Sequence, residues 1–131
     1  MDIRNITLGK LMLARSVIIE CADIDINPKA SYNLMKIMDM TEKDEQFYND
    51  KMKTIIQKYG TKDDDGKLIF DENGGIRVGA DKIQEAQDKI GELEEIEVEV
   101  PSKYLISLDD LSEMKLSYRK IRALMPFLIE E

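Results

Sequence analysis

Lys67-Leu68-Ile69-Phe70-Asp71-Glu72-Asn73-Gly74-Gly75-Ile76-Arg77-Val78 is the stretch that decides how this chain is read. Two short β-prone runs, Lys67–Phe70 and Ile76–Val78, flank an acidic turn that contains an Asn-Gly step. Such a step between apolar runs is a strong hairpin signal. On either side the apolar residues recur every three to four positions, the spacing of a helix with one buried face. The stretch therefore reads as a small two-stranded hairpin inserted between helices. Two strands alone are marginal, so the hairpin has to lean on a neighbour or stay mobile.

Upstream, Ile3 to Ala22 carries a broad apolar stripe through Ile6, Leu8, Leu11, Val17 and Ile18. It predicts a well-buried first helix with Thr7 as its N-cap. Pro28 opens a second helix to about Met38. Thr41 reads as the next N-cap, with Glu42, Asp44 and Glu45 complementing the helix dipole behind it. That third helix runs to Tyr59, and Gly60 stops it.

Downstream, a fourth helix is expected from Ala80 to Leu93. Glu95-Ile96-Glu97-Val98-Glu99-Val100 then alternates with period two, the mark of a half-buried strand, and Pro101 ends it. A last helical part runs from Ser107 to Leu128. Ser107-Leu108-Asp109-Asp110 is a capping box in outline, Ser117 caps the final helix and Pro126 distorts its end. No internal repeat, linker or low-complexity tract is evident. The expected fold is mainly α, about four to five helices around one core with a small β-hairpin and one additional short strand. Residues 1–131 fit a single domain.

Charge narrows the function. Lys and Arg number 19 against 27 Asp and Glu, a net charge of −8. Such a chain repels phosphate backbones, so direct nucleic-acid binding is not expected. No apolar run approaches the roughly 20 residues of a membrane span, and the N-terminus lacks the small-residue cleavage pattern of a signal peptide. One cysteine, Cys21, has no internal disulfide partner and sits among Ile18, Ile19, Ala22 and Ile24. A buried thiol in a reducing compartment, the cytoplasm, is expected.

Little in the sequence supports catalysis. There is no histidine for base work, no Gly-rich phosphate loop and no Cys-x-x-Cys. No cofactor is expected. Thr61 to Glu72 can be written as a twelve-residue calcium loop, with Asp63, Asp65, Gly66 and Glu72 at their proper positions. Thr61 is a poor first ligand, however, and Asn73-Gly74-Gly75 follows where a helix should. A solvated acidic turn is the simpler reading, and no metal site is expected. The eight methionines include Met35, Met38 and Met40 beside Tyr32, which read as core filling with an adaptable binding surface as the alternative.

On a strand, Glu95, Glu97 and Glu99 share one face at a spacing of about 6.6 Å. That is on the order of the phosphate spacing in a nucleic-acid strand, which raises phosphate mimicry. The plainer reading is the wet face of an edge strand, where charge discourages aggregation.

Two stretches carry a resemblance. One is Lys58-Tyr59-Gly60-Thr61-Lys62-Asp63 with the acidic, Gly-containing hairpin behind it. The other is Ile106-Ser107-Leu108-Asp109-Asp110-Leu111, ending in Ala123-Leu124-Met125-Pro126-Phe127-Leu128-Ile129-Glu130-Glu131. With the length and the order of elements, they resemble a family of small uncharacterised tailed-bacteriophage proteins. The resemblance brings no catalytic residue. It implies expression in a bacterial host cytoplasm and action on another protein, either a host or defence factor or a virion assembly intermediate. The expected partner surfaces are the hairpin tip, Asp71, Glu72, Asn73, Gly74 and Gly75, and the strand face of Glu95, Glu97 and Glu99. Homo-oligomerisation stays open.

Overall fold

The computed structural model describes residues 2–129. Met1, Glu130 and Glu131 lie outside the described residues, the last two being the end of the second stretch that carries the phage resemblance. The helices are α1 (Leu8–Glu20), α2 (Pro28–Met40), α3 (Glu42–Tyr59), α4 (Ile83–Glu94) and α5 (Tyr118–Leu124). Two strands, β1 (Ile3–Thr7) and β2 (Glu97–Pro101), form an antiparallel sheet. The chain is mainly helical, as its periodicity predicts.

β1 corrects the reading of the N-terminus, since Ile3–Thr7 was expected within the first helical segment. Thr7 does cap α1: its backbone is extended and its side chain accepts from the Lys10 N–H at 3.4 Å. An extended cap leaves the residues before it free to pair, and Ile3 to Thr7 lie opposite Pro101 to Glu97. β2 itself is displaced from the expected Glu95–Val100. Glu95 belongs to the turn that ends α4, its N–H bonded to the Gly91 carbonyl at 3.0 Å. Pro101 is the last paired residue and does not end the strand beforehand. A proline fits at a strand end, where a missing N–H is tolerated.

The core gathers around α1. Leu8, Leu11, Ile37, Val100, Ile106, Leu124 and Phe127 are almost fully buried, and Cys21 is buried as expected. At the far end of the chain, Ile106 pairs with Leu128 in a single parallel bridge. The Arg4 guanidinium donates to the carbonyls of Met125, Pro126 and Leu128, fixing the C-terminal turn against β1. The expected last helical part is divided into a 3₁₀ turn at Leu108–Met114, α5 capped by Ser117, and a second 3₁₀ turn at Met125–Phe127 around Pro126.

Two polar details depart from expectation. Thr41 stands at the N-cap of α3 as expected, but its side chain makes no capping bond there. It is buried, its hydroxyl donating to the Ile37 carbonyl at 2.7 Å and accepting from Arg15 Nη1 at 2.6 Å. Arg15, buried on α1, also donates to the Met38 carbonyl and to Glu45 Oε2, both at 2.8 Å, and so ties α1, α2 and α3 together. The methionine cluster is the second. Tyr32, Met35 and Met40 are exposed on α2, while Ala30, Leu34 and Ile37 face the core. Three branched or small residues at helical spacing already fill that face, which leaves Met35 and Met40 outside and Met38 half-buried.

Candidate functional site: a three-legged acidic knob on a helical arm

α3 and α4 lie side by side and run in opposite directions. Near the body, the Tyr48 hydroxyl on α3 donates to Glu94 Oε2 on α4 at 3.3 Å. Burial and the Glu94 charge raise the Tyr48 phenol above its usual value of 10.0. The main apolar cluster reaches Met52, Ile55 and Leu93 but does not include Tyr59 or Ala86, although both are buried. The distal part of the helix pair is therefore an arm, and the chain between Tyr59 and Ile83 forms a knob at its end.

The expected hairpin is part of this knob, with Phe70 bridging Ile76. A third leg completes it, because Gly60 also bridges Val78 and Lys62 bridges Leu68. The centre is a closed ring of backbone hydrogen bonds. The Thr61 N–H donates to the Arg77 carbonyl at 2.8 Å, the Arg77 N–H to the Ile69 carbonyl at 3.0 Å, and the Ile69 N–H to the Thr61 carbonyl at 2.9 Å.

Thr61, Ile69 and Arg77 stand eight residues apart, and this corrects the reading that the sequence has no repeat. Asp63 and Asp71 are also eight apart, as are Gly66 and Gly74. Asp63 Oδ1 accepts from the N–H groups of Asp65 at 2.9 Å and Lys67 at 3.0 Å. Asp71 Oδ1 does the same for Asn73 at 2.9 Å and Gly75 at 2.8 Å. Gly66 and Gly74 take φ of 80° and 81°, a conformation that glycine alone adopts freely. Inside the knob, a Cβ on Gly60 would lie 2.6 Å from Leu68 Cδ2 and 3.0 Å from Ile76 Cγ2. Gly60, Leu68 and Ile76, again eight apart, thus converge on the end of α3, and the glycine makes the convergence possible.

The segment written as a calcium loop is consequently two legs of this knob. Thr61 is committed to the ring, Asp63 Oδ1 to two backbone donors, and the chain turns back at Asp71 toward Gly75. The next helix begins only at Ile83.

Asp71, Glu72, Asn73, Gly74 and Gly75 are all exposed at the second turn of the knob. Phe70, just before them, is 59% exposed. Glu95, Glu97 and Glu99 are exposed as well, but they do not form one ladder. Glu97 and Glu99 lie on β2 opposite Thr7 and Asn5, so neither is opposed by a like charge. Glu95 sits in the turn ahead of them. The two surfaces are not brought together, since the 12 residues of α4 separate them, a length of about 18 Å. Phe70 was not singled out from sequence, and the eight-residue period was the available signal, since it places Phe70 in register with Lys62 and Val78. Comparison with known protein families, characterised proteins and solved structures found no match.

Proposed function

We propose that this chain is a non-catalytic accessory protein of phage type that acts in a bacterial cytoplasm by binding another protein, a host or host-defence protein whose activity it inhibits. The knob is the observation that supports this reading. It is held by its own ring and aspartate turns, adds nothing to the main apolar cluster, and presents an exposed phenylalanine beside acidic residues. Ordering such a segment costs conformational entropy that burial does not return, which favours a role in contact with something else. An aromatic anchor within a charged rim is the composition of a binding hot spot. The net charge of −8 favours a partner with a basic face, and Glu95, Glu97 and Glu99 extend the acidic surface at the other end of α4. Among the described residues no helix is long and apolar enough to cross a membrane.

The test compares the chain with a Phe70→Ser, Glu72→Gln variant as immobilised baits for bacterial lysate. The expected result is one host protein retained in stoichiometric amount by the parent chain at low salt and lost from the variant. Retention of virion proteins alone replaces inhibition with an assembly role. A partner held equally by both baits removes the knob from the binding surface.

A further inference from the structure

Among the described residues β1 and β2 form a sheet of two strands, so each has an outer edge. The register tells which backbone groups point there. The Leu8 N–H donates to the Ile96 carbonyl at 2.6 Å, and the Ser102 N–H to the Asp2 carbonyl at 3.0 Å. Between these two bonds, the even-numbered residues of both strands are the hydrogen-bonded pairs. Ile3, Asn5, Glu97, Glu99 and Pro101 therefore turn their backbone groups outward. The backbones of Glu97 and Glu99 have no hydrogen-bond partner among the described residues. Pro101, which has no N–H to offer, stands on the same edge.

The two faces of β2 differ in chemistry. Glu97 and Glu99 are exposed on one. The other carries Val98, half-buried, and Val100, fully buried, and Ile96 just ahead of the strand is 43% exposed. Opposite Val98 on β1, Ile6 is buried. The apolar face is thus closed at β1 and left open along the outer edge of β2. The charges decide what can pair there. A second copy added antiparallel would set the glutamates of β2 against their own counterparts, and like charges directly opposite are destabilising. The outer edge of β1 offers only Ile3 and Asn5, because Thr7 already caps α1. A strand with Lys or Arg at alternate positions meets both glutamates of β2, with apolar residues between them to cover Val98 and Ile96.

We infer that the outer edge of β2 takes up an extended basic segment of a partner protein as a third, antiparallel strand. Backbone pairing with Glu97 and Glu99 supplies affinity, and the alternating cations supply selectivity. The inference rests on the protein-binding reading above and adds to it a second contact with its own chemistry, apart from the knob. The glutamates that keep copies of this chain from pairing edge to edge admit a strand of opposite charge.

A short capped peptide alternating valine and lysine, titrated into the isotope-labelled chain and followed by NMR, tests this. Saturable shifts of the Glu97 and Glu99 amide signals are expected, with slower exchange of both N–H groups. A Glu97→Gln, Glu99→Gln variant should bind about fivefold more weakly, and a peptide with glutamate in place of lysine should not bind. Methylating the peptide's backbone nitrogens probes the pairing without touching the protein, so no loss of folding can intervene. In an antiparallel pair the lysines lie opposite the glutamates and their N–H groups make the bonds. N-methylation at the lysines should therefore abolish binding, and N-methylation at the valines should spare it. Loss with neither set, or with the valine set alone, overturns the antiparallel edge pairing. No saturable shift up to about 1 mM peptide overturns the site, as do shifts confined to Ile3 and Asn5. The Phe70→Ser, Glu72→Gln variant should bind the peptide as the parent chain does, so failure at this edge is distinguishable from failure of the knob.

Discussion

Asn27 Nδ2 donates to Asp110 Oδ1 at 2.8 Å, joining the turn before α2 to a 3₁₀ turn near the end of the chain. Each residue also serves its own helix start. Asn27 Oδ1 caps α2 by accepting from the Ala30 N–H at 2.9 Å, and Asp110 Oδ2 accepts from the Ser107 N–H at 3.0 Å. Two distant caps thus share one hydrogen bond.

Asp110 should give the fold a pH dependence in the acid range. The Ser107 N–H first, and then Asn27, hold its carboxyl below the ordinary value of 3.8. A lowered folded value means stability that is present above the unfolded value and lost as pH falls through the folded one. Asp110→Ala is expected to cost about 1 kcal/mol at neutral pH. Urea midpoints should differ at about pH 7, and the difference should shrink as pH falls below the ordinary carboxylate range and through the lowered folded value. A constant difference across that range would show that the carboxylate charge plays no part.

Tyr48 predicts the opposite slope at high pH. Its phenol is raised by burial and by Glu94. Its contribution is therefore complete below the unfolded value and lost as pH rises through the folded one. The thermal midpoint of the parent chain should fall more steeply above pH 10 than that of Tyr48→Phe. Parallel curves would contradict the Tyr48–Glu94 contact.

Arg15 is the polar junction of the body. Arg15→Met keeps much of the apolar stem but leaves the Met38 carbonyl and the Thr41 hydroxyl without their donor. Glu45 is partly exposed and can recover water, so the loss is expected at about 2 kcal/mol, below that of a fully buried pair. Equilibrium denaturation measures it, and a change under about 0.5 kcal/mol would be that of an ordinary surface site.

The glycine turns of the knob should report on the knob alone. Gly74→Ala forces a side chain into φ of 81°, a strain of about 1–2 kcal/mol. Amide exchange at Thr61, Ile69 and Arg77 should quicken while the thermal midpoint of the body stays nearly constant. Equal quickening in α1 would show that knob and body unfold together.

Replacing Glu95, Glu97 and Glu99 together with Gln should change stability by less than about 0.5 kcal/mol, because all three are solvated and none is opposed by a like charge. The same variant should bind its protein partner more weakly at low salt. Unchanged affinity would reduce this face to a solvated strand and turn.

The elements that could be read from sequence are those whose signal is local. Pro28 and Gly60 marked the ends of helices, Ser117 marked a cap, and the Glu-Val alternation marked a strand. β1 was hidden because Ile3 and Ile6 are three apart, a helical interval, and its strand character exists only opposite β2. The methionines of α2 misled for a related reason: a helix buries one face, and composition does not say which. The knob was half legible. Asn73-Gly74 announced the hairpin, but Thr61 as a third leg depends on a contact with Arg77, sixteen residues away. The period of eight was present in the letters but runs for only three copies, and the third lacks the aspartate.

The ring through Thr61, Ile69 and Arg77 has no first or last member. A ladder frays from its open end, one rung at a time. A ring cannot fray, since opening any bond releases a donor and an acceptor that belong to different legs. The knob should therefore exist as formed or unformed, with few states between. A surface of that kind is preorganised, so a partner that grips it has little further ordering to impose on contact.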